Sequence, residues 1–232
     1  MAKKKLQRFA EMFTFEHVVQ PPYDEVFRKD YPLKGNWNHS FFKNDYPIIL
    51  ELGCGKGEYT IGLAQQNPKK NFLGIDIKGA RMWCGAKTAQ QEKLDNVGFL
   101  RTRVDFIASF FAPNEIEEIW ITFPDPQPQK YYKRLTSTKF LRFYKNLLSP
   151  NGYIHLKTDN KALYLYTKEI IKVNKLELIV DTDNLYNSNV DDSVLAIKTF
   201  YEKKFIEKGQ PIHYLKFKLN NTEDFEEPEQ KK

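Results

Sequence analysis

Acidic side chains recur where the apolar stretches of this chain end, and they have the clearest chemical potential. The five are Glu51, Asp76, Asp105, Asp125 and Asp159. In open α/β sheets, ligands bind in the crevice outside the carboxyl ends of the strands. A single acid is weak evidence, because Asp also caps helices and turns, which alone could explain Asp159. The whole series predicts one acid-lined binding crevice.

Three glycines at alternate positions follow the first of these acids. Gly53, Gly55 and Gly57 come after the apolar run 48–52 and before a helical pattern, an arrangement typical of nucleotide binding. Asp76 lies 19 residues after Gly57, where an acid can accept hydrogen bonds from both ribose hydroxyls. NAD and S-adenosylmethionine both fit this pattern, and a glycine turn without a ligand is the alternative.

The spacing and charge of this stretch separate the two cofactors. A dinucleotide site needs GxGxxG spacing to seat its pyrophosphate on a helix N-terminus, whereas this chain has GxGxG. Glu51 and Glu58 would also place negative charge beside that pyrophosphate. S-adenosylmethionine carries a cationic ammonium and a cationic sulfonium, which carboxylates stabilise. The sequence therefore favours S-adenosylmethionine.

The most unusual stretch is 122–130, with three prolines at alternate positions. Proline fixes φ and removes a backbone donor, so we expect a stiff loop that holds Asp125 over the crevice. Lys130, Lys133 and Arg134 follow, interleaved with aromatic residues. Basic side chains position RNA phosphates and aromatic faces stack unpaired bases, so this loop predicts RNA contact. The aromatic residues at 140–144 are interpreted instead as the core face of a helix.

The elements that must position these residues alternate along the chain. We predict strands at 48–52, 71–76, 97–104, 118–123, 152–158, 176–181 and 213–219, and helices at 59–67, 78–93, 138–148, 162–174 and 192–208. This alternation implies βαβ units. We therefore predict an α/β, Rossmann-like fold with a mainly parallel sheet of about seven strands and helices on both faces.

The composition adds limits on class and location. We place the α/β domain at 46–220, between a basic N-terminal extension at 1–45 and an acidic, disordered tail at 221–232. The extension begins with Lys3, Lys4, Lys5 and Arg8. It is either a solvated tail followed by a segment that packs on the core, or a basic arm that contacts nucleic-acid phosphates. No apolar run could span a membrane, so we expect a cytoplasmic protein. The cysteines and histidines lack metal-ligand spacing, so no metal site is predicted.

Together these stretches resemble the bacterial tRNA (guanine-N7-)-methyltransferase family. The match runs from about residue 37 to 218 and rests on ELGCGKGEYT (51–60), NFLGIDI (71–77), FPDPQPQKYYKRL (123–135), GYIHLKTDN (152–160), TFYEKKF (199–205) and GQPIHYLKF (209–217). The glycine turn is generic to class I methyltransferases, whereas the later motifs, in that order, are specific to this family. The resemblance implies a class I fold that methylates N7 of the guanine at position 46 in the tRNA variable loop, using S-adenosylmethionine and no metal.

The resemblance also implies roles for individual residues. The cofactor would contact Glu51, Gly53, Gly55, Gly57, Asp76, Asp105 and Asp125. The target guanosine would contact Lys130, Asp159, Thr199, Phe200, Tyr201 and Glu202. Asp76 stands where the family usually has glutamate and Gln129 where it has lysine, so Lys130 is the expected substitute. tRNA is the implied partner of a monomer or homodimer that needs no other protein.

The chemistry of guanine N7 suggests a simple mechanism. N7 has a free lone pair, so catalysis should come mostly from holding it about 3–3.5 Å from the methyl group. We hypothesise that Asp125 is catalytic and stabilises the positive charge that develops on the ring. Asp159 and Glu202 would accept hydrogen bonds from N1–H and the N2 amino group. Two other interpretations stay open: a methyltransferase acting on a protein or small molecule, and a non-catalytic RNA-binding module.

Overall fold

The computed structural model describes residues 2–188, 190, 197–219 and 224–229. Over these residues the strands are β1 Val18–Val19, β2 Ile48–Leu52, β3 Asn71–Asp76, β4 Val97–Arg101, β5 Ile116–Thr122, β6 Leu148–Thr158, β7 Glu177–Thr182 and β8 His213–Lys218. They form one sheet in the order β1-β4-β3-β2-β5-β6-β8-β7. The pairs from β1 to β6 are parallel, and β8 is antiparallel to both β6 and β7.

Helices cover both faces of this sheet. They are α1 Ala2–Met12, α2 Tyr23–Val26, α3 Glu58–Gln66, α4 Gly79–Glu92, α5 Thr138–Leu147, α6 Lys161–Val173 and α7 Phe200–Glu207. Side chains alternate across a strand, so Leu50 and Leu52 pack under α5 and α6, while Ile49 packs under α3 and α4. The predicted α/β fold is confirmed.

Several element boundaries differ from the prediction. The third predicted strand ends at Arg101, and Val104–Ser109 form a 3₁₀ helix instead. The fifth begins earlier, at Leu148. Of the helix predicted at 192–208, α7 begins only at Phe200, because Thr199 caps it, and residues 192–196 lie outside the described residues.

The segment predicted as an N-terminal extension is joined to the main sheet. β1 pairs with β4 in parallel, with Val18 opposite Phe99, and α1 packs on α4. Trp37 is fully buried and its indole N–H donates to the Phe110 carbonyl at 2.8 Å. Residues such as Met12 and Trp37 bury apolar surface against the sheet's own helices and loops, so this segment shares the hydrophobic core of the α/β domain.

The acidic tail also packs where it is described. Over residues 224–229, Phe225 is buried and Arg142 forms an ion pair with Asp224 at 2.7 Å. Glu227 accepts hydrogen bonds from Thr138 Oγ1 at 2.7 Å and from the Tyr166 hydroxyl. The prediction of disorder is therefore wrong for this part, because one aromatic side chain and basic and hydroxyl partners on α5 and α6 offset its acidic composition.

Candidate active site

The glycine turn joins β2 to α3 with all three glycines in the left-handed region. Their φ angles are 77° at Gly53, 56° at Gly55 and 72° at Gly57, which is the N-cap of α3. A Cβ at Gly57 would lie 2.7 Å from Phe99 Cε1, so packing requires glycine there. At Gly53 and Gly55 a Cβ would meet no atom nearer than 3.9 Å, so these two open onto free space where a ligand can approach the backbone.

Glu51, near the end of β2, is a buried carboxylate surrounded by donors. It accepts from Thr60 N at 2.8 Å, from the Thr60 hydroxyl, and from Thr122 Oγ1 at 2.5 Å. Burial raises the pKa of Glu51 to about 7, and the hydrogen bonds from Thr122 and Thr60 oppose that shift. A cationic ligand group beside this carboxylate would favour its charged form.

Asp76 and Asp105 lie at the carboxyl ends of the next two strands, β3 and β4. Asp76 accepts from Gly55 N at 2.9 Å and from Lys78 N at 2.7 Å, which ties the end of β3 to the glycine turn. Asp105 lies in the 3₁₀ helix after β4, where it pairs with Lys139 and, at 3.3 Å, with Arg103. Burial raises the pKa of Asp105, but these two cations outweigh it, so the pKa is lowered overall.

The predicted acids surround two adjoining cavities at the carboxyl ends of the strands. The main cleft, about 630 Å³, is lined by Glu51, Asp76, Asp125 and Asp159 together with the glycine turn. The second, about 410 Å³, is lined by Asp105 and shares Gly53, Asp76 and Lys133 with the first. The structure therefore brings together the acids that sequence spacing singled out.

The proline-rich loop, residues 122–130, forms one wall of the main cleft. Phe123 and Gln127 have φ angles of 47° and 45°, values that non-glycine residues adopt at a cost. Asp125 is exposed, lines the cleft and accepts from Gln127 N at 3.1 Å. The Phe123 ring stacks on Phe205 of α7 with centroids 6.0 Å apart, so the loop and α7 contact each other.

The basic residues after this loop have different surroundings. Arg134, predicted to contact RNA, is instead buried: it lies 4.3 Å from the ring centroids of Tyr131 and Tyr166, and its Nε donates to the Pro126 carbonyl at 2.9 Å. It therefore stabilises the loop. Lys130 is exposed and lines neither cavity, whereas Lys133 lines both.

Asp159 lies at the end of β6 and faces the main cleft. Its neighbour Asn160 caps α6, accepting from Leu163 N at 2.8 Å, so helix capping does not account for Asp159. Burial raises the pKa of Asp159, with its own backbone and His213 opposing the shift. This carboxylate is therefore available to a polar ligand in the cleft.

The N-terminus of α7, next to this loop, also lines the main cleft. Thr199 and Tyr201 line the cleft, and Glu58 accepts from Phe200 N at 3.1 Å. Phe200 is not among the residues that line the cleft, and its ring packs under Lys56, whose Nζ lies 4.2 Å from the ring centroid. Lys56 and Arg81 also line the cleft, although the sequence analysis did not single them out. The available signal was their position shortly after β2 and β3.

Glu202 does not reach the cleft, contrary to the expectation that it binds the base. It is fully buried, 2.7 Å from Lys157 Nζ, and accepts from the Tyr186 hydroxyl at 2.6 Å. It also completes a capping box with Thr199. Burial lowers the pKa of Lys157, and Glu202 opposes that shift. Glu202 therefore positions the start of α7 through buried contacts with Lys157 and Thr199.

Two kinds of feature are absent from the described part of the chain. No group of three His, Cys, Asp or Glu side chains there could hold a metal ion. None of the helices described above is long and apolar enough to cross a membrane.

The fold and the acid-lined cleft define a class I methyltransferase fold. A 30S ribosomal A1408 methyltransferase from an uncultured bacterium superposes with a TM-score of 0.60 at 18% identity, covering 81% of this chain and 95% of that one. An S-adenosylmethionine-dependent methyltransferase from Aquifex aeolicus superposes with a TM-score of 0.51 at 13% identity, covering 90% and 96%. These neighbours establish the architecture.

Sequence comparison narrows the class to a family. A family described as "Putative methyltransferase" matches residues 45–215. Proteins named tRNA (guanine-N(7)-)-methyltransferase are similar over most of the chain: one from Christiangramia forsetii is 51% identical, covering 94% of this chain and 99% of that protein, and one from Bacteroides thetaiotaomicron is 48% identical, covering 99% and 91%. One from Bacillus subtilis is 35% identical, covering 78% and 84%. The chain belongs to the tRNA (guanine-N7-)-methyltransferase family.

Proposed function

We propose that this protein transfers a methyl group from S-adenosylmethionine to N7 of the guanine at position 46, in the variable loop of tRNA. The observation that carries the proposal is the main cleft, where a glycine turn and acids from several strands meet the proline-rich loop and the start of α7. Family membership supports the reaction and the tRNA substrate. We further propose that the protein acts in the cytoplasm as a monomer or homodimer.

The residues of the cleft fit this cofactor. Gly53 and Gly55 leave open space that a Cβ would fill, and the carboxylates nearby suit a doubly cationic ligand. Glu51 and Asp125 would hold the cationic groups of S-adenosylmethionine, and Asp76 would hold its ribose. Asp105, in the second cavity, would contact the end of the cofactor farthest from those cationic groups. When bound, S-adenosylmethionine supplies an electrophilic methyl group on its sulfonium.

The protein's own contribution to the reaction is orientation and charge. Guanine N7 carries a lone pair and no proton, so no side chain must act as a general base. The rigid walls of the cleft would hold N7 in line with the methyl group, which can supply about 7–11 kcal/mol of rate enhancement. Asp125, held in the loop by its Gln127 contact, would stabilise the positive charge that builds on the guanine ring.

Recognition of guanine would depend mainly on Asp159. Its carboxylate lines the cleft and can accept hydrogen bonds from the guanine N1–H and N2 amino group, which adenine does not present in that arrangement. Tyr201, 47% exposed at the rim, offers an aromatic face for stacking a base taken out of the tRNA fold. Lys133, which lines the cleft, would contact the substrate in the role expected of Lys130.

The direct test is methyl transfer to unmodified tRNA transcripts with guanine or adenine at position 46. We expect transfer to the guanine transcript, with strand scission at that position after chemical cleavage of 7-methylguanosine, and none to the adenine transcript. Equal transfer to both, or transfer to neither, would overturn the proposed function.

Two variants test the residue assignments. Asp125→Asn should lower kcat by about 10²–10³-fold at saturating cofactor, because one group facing the developing charge is neutralised. Asp159→Ala should raise KM for the guanine transcript, and unchanged kinetics would exclude base recognition at this carboxylate. For Asp159→Ala, binding of S-adenosylhomocysteine measured by calorimetry is the control for an intact cofactor site. For Asp125→Asn, whose side chain would also contact the cofactor, the unfolding midpoint is the control for folding, and kcat is taken from a full cofactor titration.

A further inference from the structure

Helix α1 is anchored along α4 by specific contacts. Phe9 packs so closely that a Cβ on Gly79 would lie 2.8 Å from its ring, and Arg101 covers the same ring at 4.9 Å. Glu11 accepts from the Trp83 indole N–H at 2.8 Å and from Lys87 Nζ at 2.8 Å. α1 therefore has a fixed place on the surface.

These contacts also give the direction of α1. Phe9 meets the first residue of α4, and Glu11 meets residues four and eight positions further along, so the two helices run in the same direction. Residues before Phe9 must therefore extend past the start of α4. At 1.5 Å per residue, the seven residues back to Ala2 reach about 10 Å beyond it.

The start of α4 lies at the rim of the main cleft. Lys78, just before α4, and Arg81, in its first turn, both line that cleft and are exposed. The overhanging part of α1 adds Lys4 and Lys5, both exposed, and residues 2–10 contain no acid. The result is a basic surface that continues from the cleft rim onto α1.

The family match begins at residue 45, so α1 lies outside it. Helix α1 keeps its place beside the cleft through its own contacts with α4.

We propose that the overhanging turns of α1, through Lys4 and Lys5, bind tRNA phosphates on the side of the cleft where α4 begins. The inference rests on the proposed function, because it names a further contact surface for the same substrate. A helix already docked on α4 loses little conformational freedom on binding, so its lysines act as a preformed phosphate contact.

The test compares two variants that remove the same charge. Lys4→Ala/Lys5→Ala changes α1, and the control, Lys69→Ala/Lys172→Ala, removes two exposed lysines beyond the amino end of β3 and in the last turn of α6, away from the cleft. Binding of an unmodified tRNA transcript is measured at several salt concentrations, with S-adenosylhomocysteine binding and the unfolding midpoint as folding controls.

Each phosphate contact contributes about 0.9 to the slope of log Kd against log salt, so the α1 variant should lose about 1.8. The ratio of the variant's Kd to the wild-type Kd should therefore fall by about tenfold as the salt concentration rises from 50 to 200 mM. The control variant should keep the wild-type slope. An α1 variant that matches the control overturns this inference alone, whereas a wild-type protein that neither binds nor methylates tRNA overturns the proposed function as well.

Discussion

The buried pair between Lys157 and Glu202 leads to a prediction with a defined size. Both side chains are fully excluded from solvent and lie 2.7 Å apart, with Tyr186 and the α7 cap as further partners of the carboxylate. Removing one member of such a pair leaves a buried charge unpaired and costs about 3–5 kcal/mol. Lys157→Met should lower the free energy of unfolding by that amount, or Tm by about 6–20 °C for a chain of this length.

A second substitution isolates the cause. Glu202→Gln in the Lys157→Met background removes the unpaired charge, keeps one acceptor oxygen for the Thr199 N–H, and offers an amide N–H to the Tyr186 hydroxyl oxygen. The double variant should recover most of the stability that Lys157→Met loses, giving a coupling energy of about 2 kcal/mol or more in a double-mutant cycle.

The assay is urea unfolding followed by circular dichroism, with tRNA methylation kinetics on the folded variants. Because the pair positions Thr199 and Tyr201 rather than the glycine turn, kcat/KM for tRNA should fall more than cofactor affinity. Stability losses that simply add, with no recovery in the double variant, would refute the assignment of Glu202 as a positioning residue.

Two further predictions concern the glycine turn and its acid. Glu51 has a pKa raised to about 7 by burial, so below that pH a proton competes with the cationic cofactor. Cofactor affinity measured by calorimetry should drop as pH falls from 8 to 5.5, by up to about tenfold per unit below 7, and Glu51→Gln should abolish this dependence. Gly57→Ala should cost about 2–5 kcal/mol of stability, because the new Cβ meets Phe99 at positive φ, whereas Gly53→Ala should cost less and chiefly weaken cofactor binding.

Much of the cleft could be predicted because its signals are local. Each acid follows its own apolar run, and the carboxyl ends of parallel strands meet at one edge of the sheet. The glycines are needed for a turn formed within a few residues. Such patterns do not depend on distant partners, so Glu51, Asp76 and Asp125 are found where the spacing placed them.

Two side chains predicted to contact RNA or the base, Arg134 and Glu202, are instead buried by contacts with residues distant in sequence. Arg134 is held by Tyr166, 32 positions later, and Glu202 by Lys157, 45 positions earlier. Nothing in the charge of either side chain distinguishes a solvent-exposed ligand contact from a buried one. The same holds for α1, whose lysines suggested a tail while Phe9 and Met12 anchor it on α4.

We propose that N7 of one guanine receives the methyl group, and the most direct test of this assignment removes that atom. Transcripts carrying guanine or 7-deazaguanine at position 46 differ only in N7, so both should bind with similar affinity. We predict methyl transfer to the guanine transcript and none to the 7-deazaguanine transcript. Equal incorporation of methyl groups into both would contradict the account.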